Sequence, residues 1–401
     1  MRVAIVTESF PPDVNGVAHC AVRTAEHLAA RGHDTLVVAP SVAERAAPAD
    51  GPYRLVHVPS VPWPGYRQVR VALPTRRVAA ALAEHRADIV HLASPFVLGA
   101  RGMAAAERLG LPAVAVYQTD LAGYARTYLG VGGGAAWRRM RALHSAADRT
   151  LAPSTAAMSD LVEHGVPRVH LWPRGVDSER FHPRHRDPVL RAGLAPGGEL
   201  LVGYVGRLAP EKRVDLLAGV CSLPGVKVVV IGDGPSEQSL REALPGAVFP
   251  GRRTGDELAG LYASLDLFVH TGPLETFCQT VQEAMASGVP VVAPAAGGPL
   301  DLVHHGTTGL LVPPRDGAAL REAVAGLAAA PASRRAFGRA GRAAVAARTW
   351  AAVGDQLLGH YAEVLEQRRP ARVPGAVTAA RPYGRIRQRE RALVSREGSV
   401  A

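Results

Sequence analysis

Lysine is almost missing from this chain. Only Lys212 and Lys227 stand among 46 basic residues, a ratio that fits a GC-rich coding bias replacing lysine wherever chemistry permits. A lysine that survives such a bias marks a place where an ammonium is useful, and Lys212 ends the loop Gly206-Arg-Leu-Ala-Pro-Glu-Lys212. Cysteine is scarce as well. Cys20, Cys221 and Cys278 are far apart, odd in number and without metal-ligand spacing, which excludes a disulfide scaffold and fits a reducing compartment. No apolar run reaches the about 18 residues that a membrane span requires. Met1-Arg-Val-Ala-Ile-Val-Thr-Glu8 reads as a strand ending at an acid and not as a signal peptide, so the cytoplasm is the expected location. The 15 histidines contain no H-E-x-x-H, and His304-His305 sits in a glycine-bounded loop; no metal centre is expected.

What is present is an ordinary globular composition, 47% apolar and 20% charged over 401 residues, enough for two domains with separate cores. The net charge of +11 is unevenly placed: residues 368–401 hold nine arginines and two glutamates, +7 of the total. A Pro- and Arg-rich end of this kind is expected to be disordered. It reads either as a solvated tail or as an attraction to anionic lipid, worth about 1 kcal/mol per nearby cation. Nucleic acid is not the expected partner, since no recognition fold or aromatic platform accompanies the arginines.

Hydrophobic patterning predicts two α/β halves. Short apolar runs at Val3–Val6, Thr35–Ala39, Ile89–Leu92, Ala113–Tyr117 and Thr150–Ser154 alternate with helical spacing, the mark of a parallel sheet covered on both faces. A linker follows at Pro173-Arg-Gly-Val-Asp177. The alternation then restarts with Leu201–Val205, Lys227–Ile231, Ala247–Phe249, Leu267–His270 and Val289–Ala293. The expected domains are 1–180, 185–346 and the tail 368–401, with a helix over 349–366 belonging to the first. Thr349 is expected to cap that helix, whose apolar stripe is Val353, Leu357, Leu358, Tyr361, Val364 and Leu365. Ligand loops are expected at the strands' C-terminal ends.

One such loop carries the most specific pattern, Gly272-Pro-Leu-Glu-Thr-Phe-Cys-Gln-Thr-Val-Gln-Glu283. Glu275 ends a strand, Glu283 lies on the following helix, and unpaired amides from Thr276, Phe277 and Cys278 to Gln279 favour an anion. A phosphate flanked by two carboxylates suits a sugar nucleotide, one acid holding sugar hydroxyls and the other ribose. Two solvated helix glutamates are the plain alternative.

With its flanking strand and Gly288-Val-Pro, this segment resembles the donor signature of the retaining glycosyltransferases of family 4, which adopt the two-domain GT-B architecture. The resemblance runs from Met1 to about Glu366. Gly272-Pro-Leu-Glu-Thr-Phe and Ala295-Ala-Gly-Gly-Pro-Leu-Asp301 look most like the GDP-mannose-dependent α-mannosyltransferases of glycolipid assembly. The resemblance implies that Arg207 and Lys212 contact the donor diphosphate in place of a metal, and no Asp-x-Asp occurs in the chain. It implies that Gly16 closes over the donor phosphates, assisted by helix-start N–H groups, and that Arg252 or Arg253 lies near the base. It implies a front-face mechanism, in which the departing phosphate oxygen deprotonates the acceptor hydroxyl while Glu275 orients the sugar. Many family members carry histidine where Gln118 stands. Glutamine is no acid or base, although its carbonyl can hold a sugar hydroxyl.

On the acceptor side, Tyr117, Gln118, Asp120 and Tyr124 follow a first-half strand; Asp120 either binds a hydroxyl or caps the next segment. The run Pro59–Arg70, with Tyr66 and Arg70, reads as an aromatic and basic loop suited to a lipid headgroup, or equally to a soluble acceptor. A UDP-sugar donor with a soluble acceptor, and a non-catalytic sugar-nucleotide-binding protein, are the remaining alternatives.

Overall fold

The computed structural model describes residues 1–13, 15–41, 51–63, 66–73, 75–93, 95–118 and 134–368, apart from the side chains of residues 63 and 66–69. Met1–Gln367 forms one compact unit. Its first sheet contains β1 (Arg2–Thr7), β2 (Asp34–Pro40) and β3 (Arg54–Val58). A hairpin of β4 (Ser60–Trp63) and β5 (Tyr66–Ala72) follows. The sheet is completed by β6 (Ile89–Ala93), β7 (Ala113–Val116), β8 (Arg149–Ala152) and β9 (Val169–Leu171). The strand order is β3-β2-β1-β6-β7-β8-β9, parallel throughout. Val3 to Val6 and Leu36 to Ala39 are wholly buried, because helices cover both faces and every side chain of these strands meets one core or the other.

The second sheet consists of β10 (Leu200–Val205), β11 (Val226–Ile231), β12 (Val248–Gly251), β13 (Leu267–Val269), β14 (Val291–Pro294) and β15 (Gly309–Val312). It is also parallel, in the order β12-β11-β10-β13-β14-β15. Strand order reverses between β1 and β6 in the first sheet and between β10 and β13 in the second. Ligands of open α/β sheets bind outside the carboxyl ends at such switch points. The loops after β1, β10 and β13 are those carrying Gly16, Arg207 with Lys212, and Glu275. The two-sheet GT-B architecture expected from the sequence is the one observed.

The last helix, Trp350–Gln367, returns to the first sheet. Val353, Leu357, Tyr361 and Val364 pack among Val3, Ile5, Val37 and Val114. Thr349 caps it through Oγ1, which accepts from the Ala352 amide at 3.1 Å. The Tyr361 hydroxyl lies 2.7 Å from His91 Nδ1, and Trp172 Nε1 donates to the Val353 carbonyl at 2.9 Å. The two chain crossings run side by side, since the Val176 amide donates to the Arg348 carbonyl at 2.8 Å.

Several expectations are corrected. The run Pro59–Arg70 is not a loop: β4 and β5 pair antiparallel across it, with Pro62 tolerated because a two-stranded ribbon leaves one side of each strand unpaired. Strands β3, β9 and β15 do not stand out in the sequence. They are three to five residues long and lie at sheet edges, where apolar burial is incomplete and the hydrophobic signal is weak.

Candidate donor site

The carboxyl ends of β10 and β13 bring one charged cluster together. Lys212 Nζ lies 2.5 Å from Glu275 Oε1, with the two side chains only 15% and 17% exposed. His270, one residue beyond β13, places Nε2 3.2 Å from the same oxygen. Burial alone would raise the Glu275 carboxyl, but Lys212 and His270 hold it well below the usual carboxylate range. His270 is lifted above its ordinary value despite burial, because Cys278 and Glu275 lie against it. The cluster is a carboxylate held ionised between fixed cations. His270, Glu275 and Cys278 each bring a ligand atom within 4.8 Å of the others, a set that could hold a metal ion. Here the Lys212 ammonium is the cation placed against its carboxylate.

The loop that carries Lys212 is held from several sides. Arg207 pairs with the buried Glu211, the Thr271 hydroxyl donates to the Lys212 carbonyl at 2.6 Å, and the Tyr204 hydroxyl donates to the Arg207 carbonyl at 3.2 Å. Pairing of both cations with the neighbouring Glu211 and Asp215 would make them plain surface bases. Arg207 does meet Glu211, whereas Asp215 pairs with Arg213 and Lys212 turns to Glu275. Gly232-Asp-Gly-Pro235, after β11, seats this loop. Leu208 donates to the Asp233 carbonyl at 2.8 Å, and Ser236 donates back to Leu208 at 2.9 Å. Gly232 has φ +148°, and a Cβ there would stand 1.9 Å from the Gly206 carbonyl oxygen, so no side chain fits.

The donor motif behaves as a second clamp. Gly298 donates to the Glu275 carbonyl at 2.8 Å, and a Cβ on Gly297 (φ +60°) would fall 2.4 Å from that same carbonyl. Cys278 adopts φ 76° ahead of the helix Gln279–Ala286. Among the described residues the amides from Thr276 to Gln279 meet no acceptor, as an anion site at this helix start requires. Thr276 spends its hydroxyl on the Gln118 carbonyl, at 2.9 Å, which ties the second sheet's loop to the first sheet. Asp301 does likewise, accepting from the Thr155 amide at 2.6 Å and from its hydroxyl. Phe277 is buried in the second core and serves packing.

Glu283 lies beside Gln279 and Tyr262, and its burial pushes the carboxyl up to about 7. We expect Glu283→Gln to weaken nucleotide binding while stabilising the ligand-free protein at pH 8. A carboxyl whose folded pKa exceeds its unfolded value binds more protons when folded. Stability then falls as pH rises from about 4.5 to about 7. The variant escapes that loss, so the two melting temperatures should coincide near pH 4.5 and separate by pH 8. Equal melting temperatures at pH 8 would refute the assignment.

Gly16 opens the helix Gly16–Ala30, but its neighbours are taken: Asn15 Oδ1 accepts from the Val17 and Ala18 amides at 3.0 Å. The expected help from several helix-start N–H groups is thereby reduced to that of Gly16. Arg252 and Arg253 sit at the rim after β12, Arg252 being 3.9 Å from Asp233 and Arg253 3.8 Å from Glu257. Tyr117 is 2% exposed and packs on Trp137 and His144; it is core, not acceptor wall, because its ring lies under the helix Gly134–Ala146. Arg70 is bound within the hairpin, its Nε donating to Ser60 Oγ at 2.8 Å. The Tyr66 side chain, Asp120, Tyr124 and the tail from 369 lie outside the described residues.

Gln118 requires a correction. Its carbonyl oxygen, expected to be available to a hydroxyl, accepts from Arg174 Nη2 at 3.0 Å. Arginine only donates, so Oε1 must face it and the amide Nε2 is the group left over. Arg174 and His270 are the residues that sequence reasoning missed. A histidine directly ending a central strand and an arginine inside the linker Trp172-Pro-Arg-Gly-Val were the available signals.

The chain is similar to known proteins over most of its length. Residues 14–180 match the family described as Glycosyltransferase Family 4, and residues 187–344 match Glycosyl transferases group 1. A GDP-mannose-dependent alpha-mannosyltransferase of Mycolicibacterium smegmatis is 51% identical, over 92% of this chain and 99% of its own length. One from Corynebacterium glutamicum is 45% identical over 92% and 91%. Among solved structures, sucrose-phosphate synthase from Thermosynechococcus elongatus superposes with a TM-score of 0.75 at 21% identity, over 92% of this chain and 100% of that one. HepE of Anabaena, solved with UDP, gives 0.73 at 20% identity over 90% and 100%. The chain belongs to glycosyltransferase family 4 and is a glycosyltransferase.

Proposed function

We propose that this glycosyltransferase moves α-mannose from GDP-mannose to a glycolipid acceptor, with retention and without a metal. The observation that carries the reading is the Lys212–Glu275–His270 cluster at the mouth of β10 and β13. Lys212 and Arg207 neutralise the diphosphate as the glycosidic bond lengthens, the task a metal performs elsewhere. Glu275, ionised and paired with an ammonium, is a hydrogen-bond acceptor for sugar hydroxyls rather than a free nucleophile. Glu283 accepts from ribose. The departing phosphate oxygen takes the acceptor proton on the face that it leaves, so configuration is kept.

The donor assignment draws on the GDP-mannose-dependent activity of relatives about half identical to this chain. The lipid acceptor draws on a more distant relative, an alpha-monoglucosyldiacylglycerol synthase of Streptococcus pneumoniae. No described helix is long and apolar enough to cross a membrane, so a lipid acceptor is met at the surface.

Incubating the purified chain with GDP- and UDP-sugars in EDTA tests both halves. GDP release from GDP-mannose, stimulated by glycolipid and yielding an α-linked product, is expected. Turnover confined to UDP-sugars would defeat the donor, loss of turnover in EDTA the metal-free chemistry, and a β-product the retaining mechanism. Stimulation by water-soluble acceptors alone would move the acceptor assignment to the soluble alternative.

A further inference from the structure

Arg174 sits in the linker between the two sheets, only 8% exposed. A buried guanidinium ordinarily has a carboxylate beside it, because an uncompensated charge in the interior costs several kcal/mol. Arg174 has none: among the described residues no carboxylate oxygen lies within ion-pair distance of it. Its contacts are neutral oxygens, the Gln118 carbonyl at 3.0 Å from Nη2 and the Gly16 carbonyl at 3.5 Å from Nη1.

Its surroundings supply donors. The Gln118 amide Nε2 is buried without a hydrogen-bond partner, in a residue 6% exposed, and its identity as the donor follows from the arginine holding the opposite oxygen. Arg174 Nη1 lies directly over Gly16, where a Cβ would meet it at 2.8 Å. Among the described residues the Gly16 amide, at the head of its helix, meets no acceptor. A guanidinium, a carboxamide N–H and a backbone N–H on one patch, all short of acceptors, form a site for an anion.

The position is rigidly specified from the donor side. The Arg174 carbonyl accepts from Gln282 Nε2 and the Gly175 carbonyl from Gln279 Nε2, each at 3.1 Å. Both glutamines belong to the helix whose N-terminus follows Glu275. The linker arginine is thus set by the donor loop and applied to the loop after β1.

We propose that Arg174, with Gln118 Nε2 and the Gly16 amide, forms an anion subsite that takes the nucleoside diphosphate from the side opposite Lys212. Arg174 is then a third diphosphate-binding cation. This rests on the sugar-nucleotide reading above, but not on mannose or on the acceptor. Glutamine at position 118 accepts from the guanidinium with one end and donates with the other.

The test measures binding of GDP and of guanosine to wild type, Arg174→Gln and Gln118→Glu by competition with a fluorescent GDP analogue. Loss of one charge-assisted contact is expected to weaken GDP about 30-fold in Arg174→Gln, with guanosine within about threefold of wild type, a threefold change being under 1 kcal/mol. Gln118→Glu places a carboxylate against Arg174. It should keep or raise the melting temperature by forming the missing ion pair, yet weaken GDP, because the subsite is filled by its own counter-ion. Equal losses of GDP and guanosine in Arg174→Gln would reduce Arg174 to a pin between the sheets and overturn the proposal. So would unchanged GDP binding in a stable Gln118→Glu. Wild-type binding of UDP in place of GDP would revise the donor, and the same comparison would then be read with UDP and uridine. Should Arg174→Gln fail to fold, Gln118→Glu alone decides.

Discussion

Glu275→Gln is expected to lower kcat by about 10³-fold, with a smaller change in GDP affinity, since charge stabilisation and hydroxyl contacts at the reacting sugar matter most in the transition state. The geometry makes the effect large. The carboxylate lies 2.5 Å from Lys212 Nζ and 3.2 Å from His270 Nε2, so glutamine loses the sugar contact and also leaves an enclosed ammonium without its counter-ion. Removing one partner of a buried pair costs about 3 kcal/mol or more, and a lower melting temperature should accompany the loss of turnover. Steady-state kinetics with GDP-mannose, beside a calorimetric GDP titration, separate the two effects. A variant that turns over within about tenfold of wild type, a barrier change near 1.4 kcal/mol, would mean that Glu275 serves only as the counter-ion of Lys212 and makes no contact with the reacting sugar.

Lys212→Ala should produce the second large loss, about 10²- to 10³-fold in kcat/KM, the range seen when one preorganised electrostatic donor is removed. A shift in pH dependence should distinguish it from simple misfolding. Burial alone would raise the Glu275 carboxyl; Lys212 is the foremost group holding it down, with His270 second. A carboxyl depressed in the folded state adds stability that is present above its unfolded pKa and lost as pH falls through its folded pKa. Without the ammonium that carboxyl climbs, so acid unfolding and the acid limb of kcat/KM should both move toward neutral pH. Lys227 is the control: among the described residues its ammonium reaches only the Gly246 carbonyl, at 3.4 Å, and Lys227→Arg should behave as wild type. Unchanged turnover in Lys212→Ala would remove the phosphate-loop assignment.

The pairing of Lys212 with Glu275 shows how the two strongest sequence signals meet. Each was visible separately, one as a surviving lysine in a glycine-led loop and the other as an acid ending a strand. Sixty-three residues separate them. Only the parallel pairing of β10 with β13, with both loops at the carboxyl edge, puts them in contact. Glu283 is similar: its place on a helix was legible, but its raised pKa comes from the burial that packing imposes, against the opposing hydrogen bonds of Gln279 and of Tyr262, which belongs to a different helix.

The sequence by itself determined the alternating architecture, because strands buried on both faces must be apolar along their whole length, and these runs read plainly at Val3–Val6 and Leu201–Val205. It also determined the last helix, whose stripe and Thr349 cap are local features with a period and a hydrogen bond of their own. Tertiary structure alone decided what the polar groups face. Tyr117 became core because a helix lies on it, and the run Pro59–Arg70 became a hairpin because two short strands found each other. Gln118 became a donor because a linker arginine, 56 residues away, claims its oxygen. Hydrophobic period is written along the chain; the partner of a charge or an amide is set by packing between segments, and no spacing in the sequence records it.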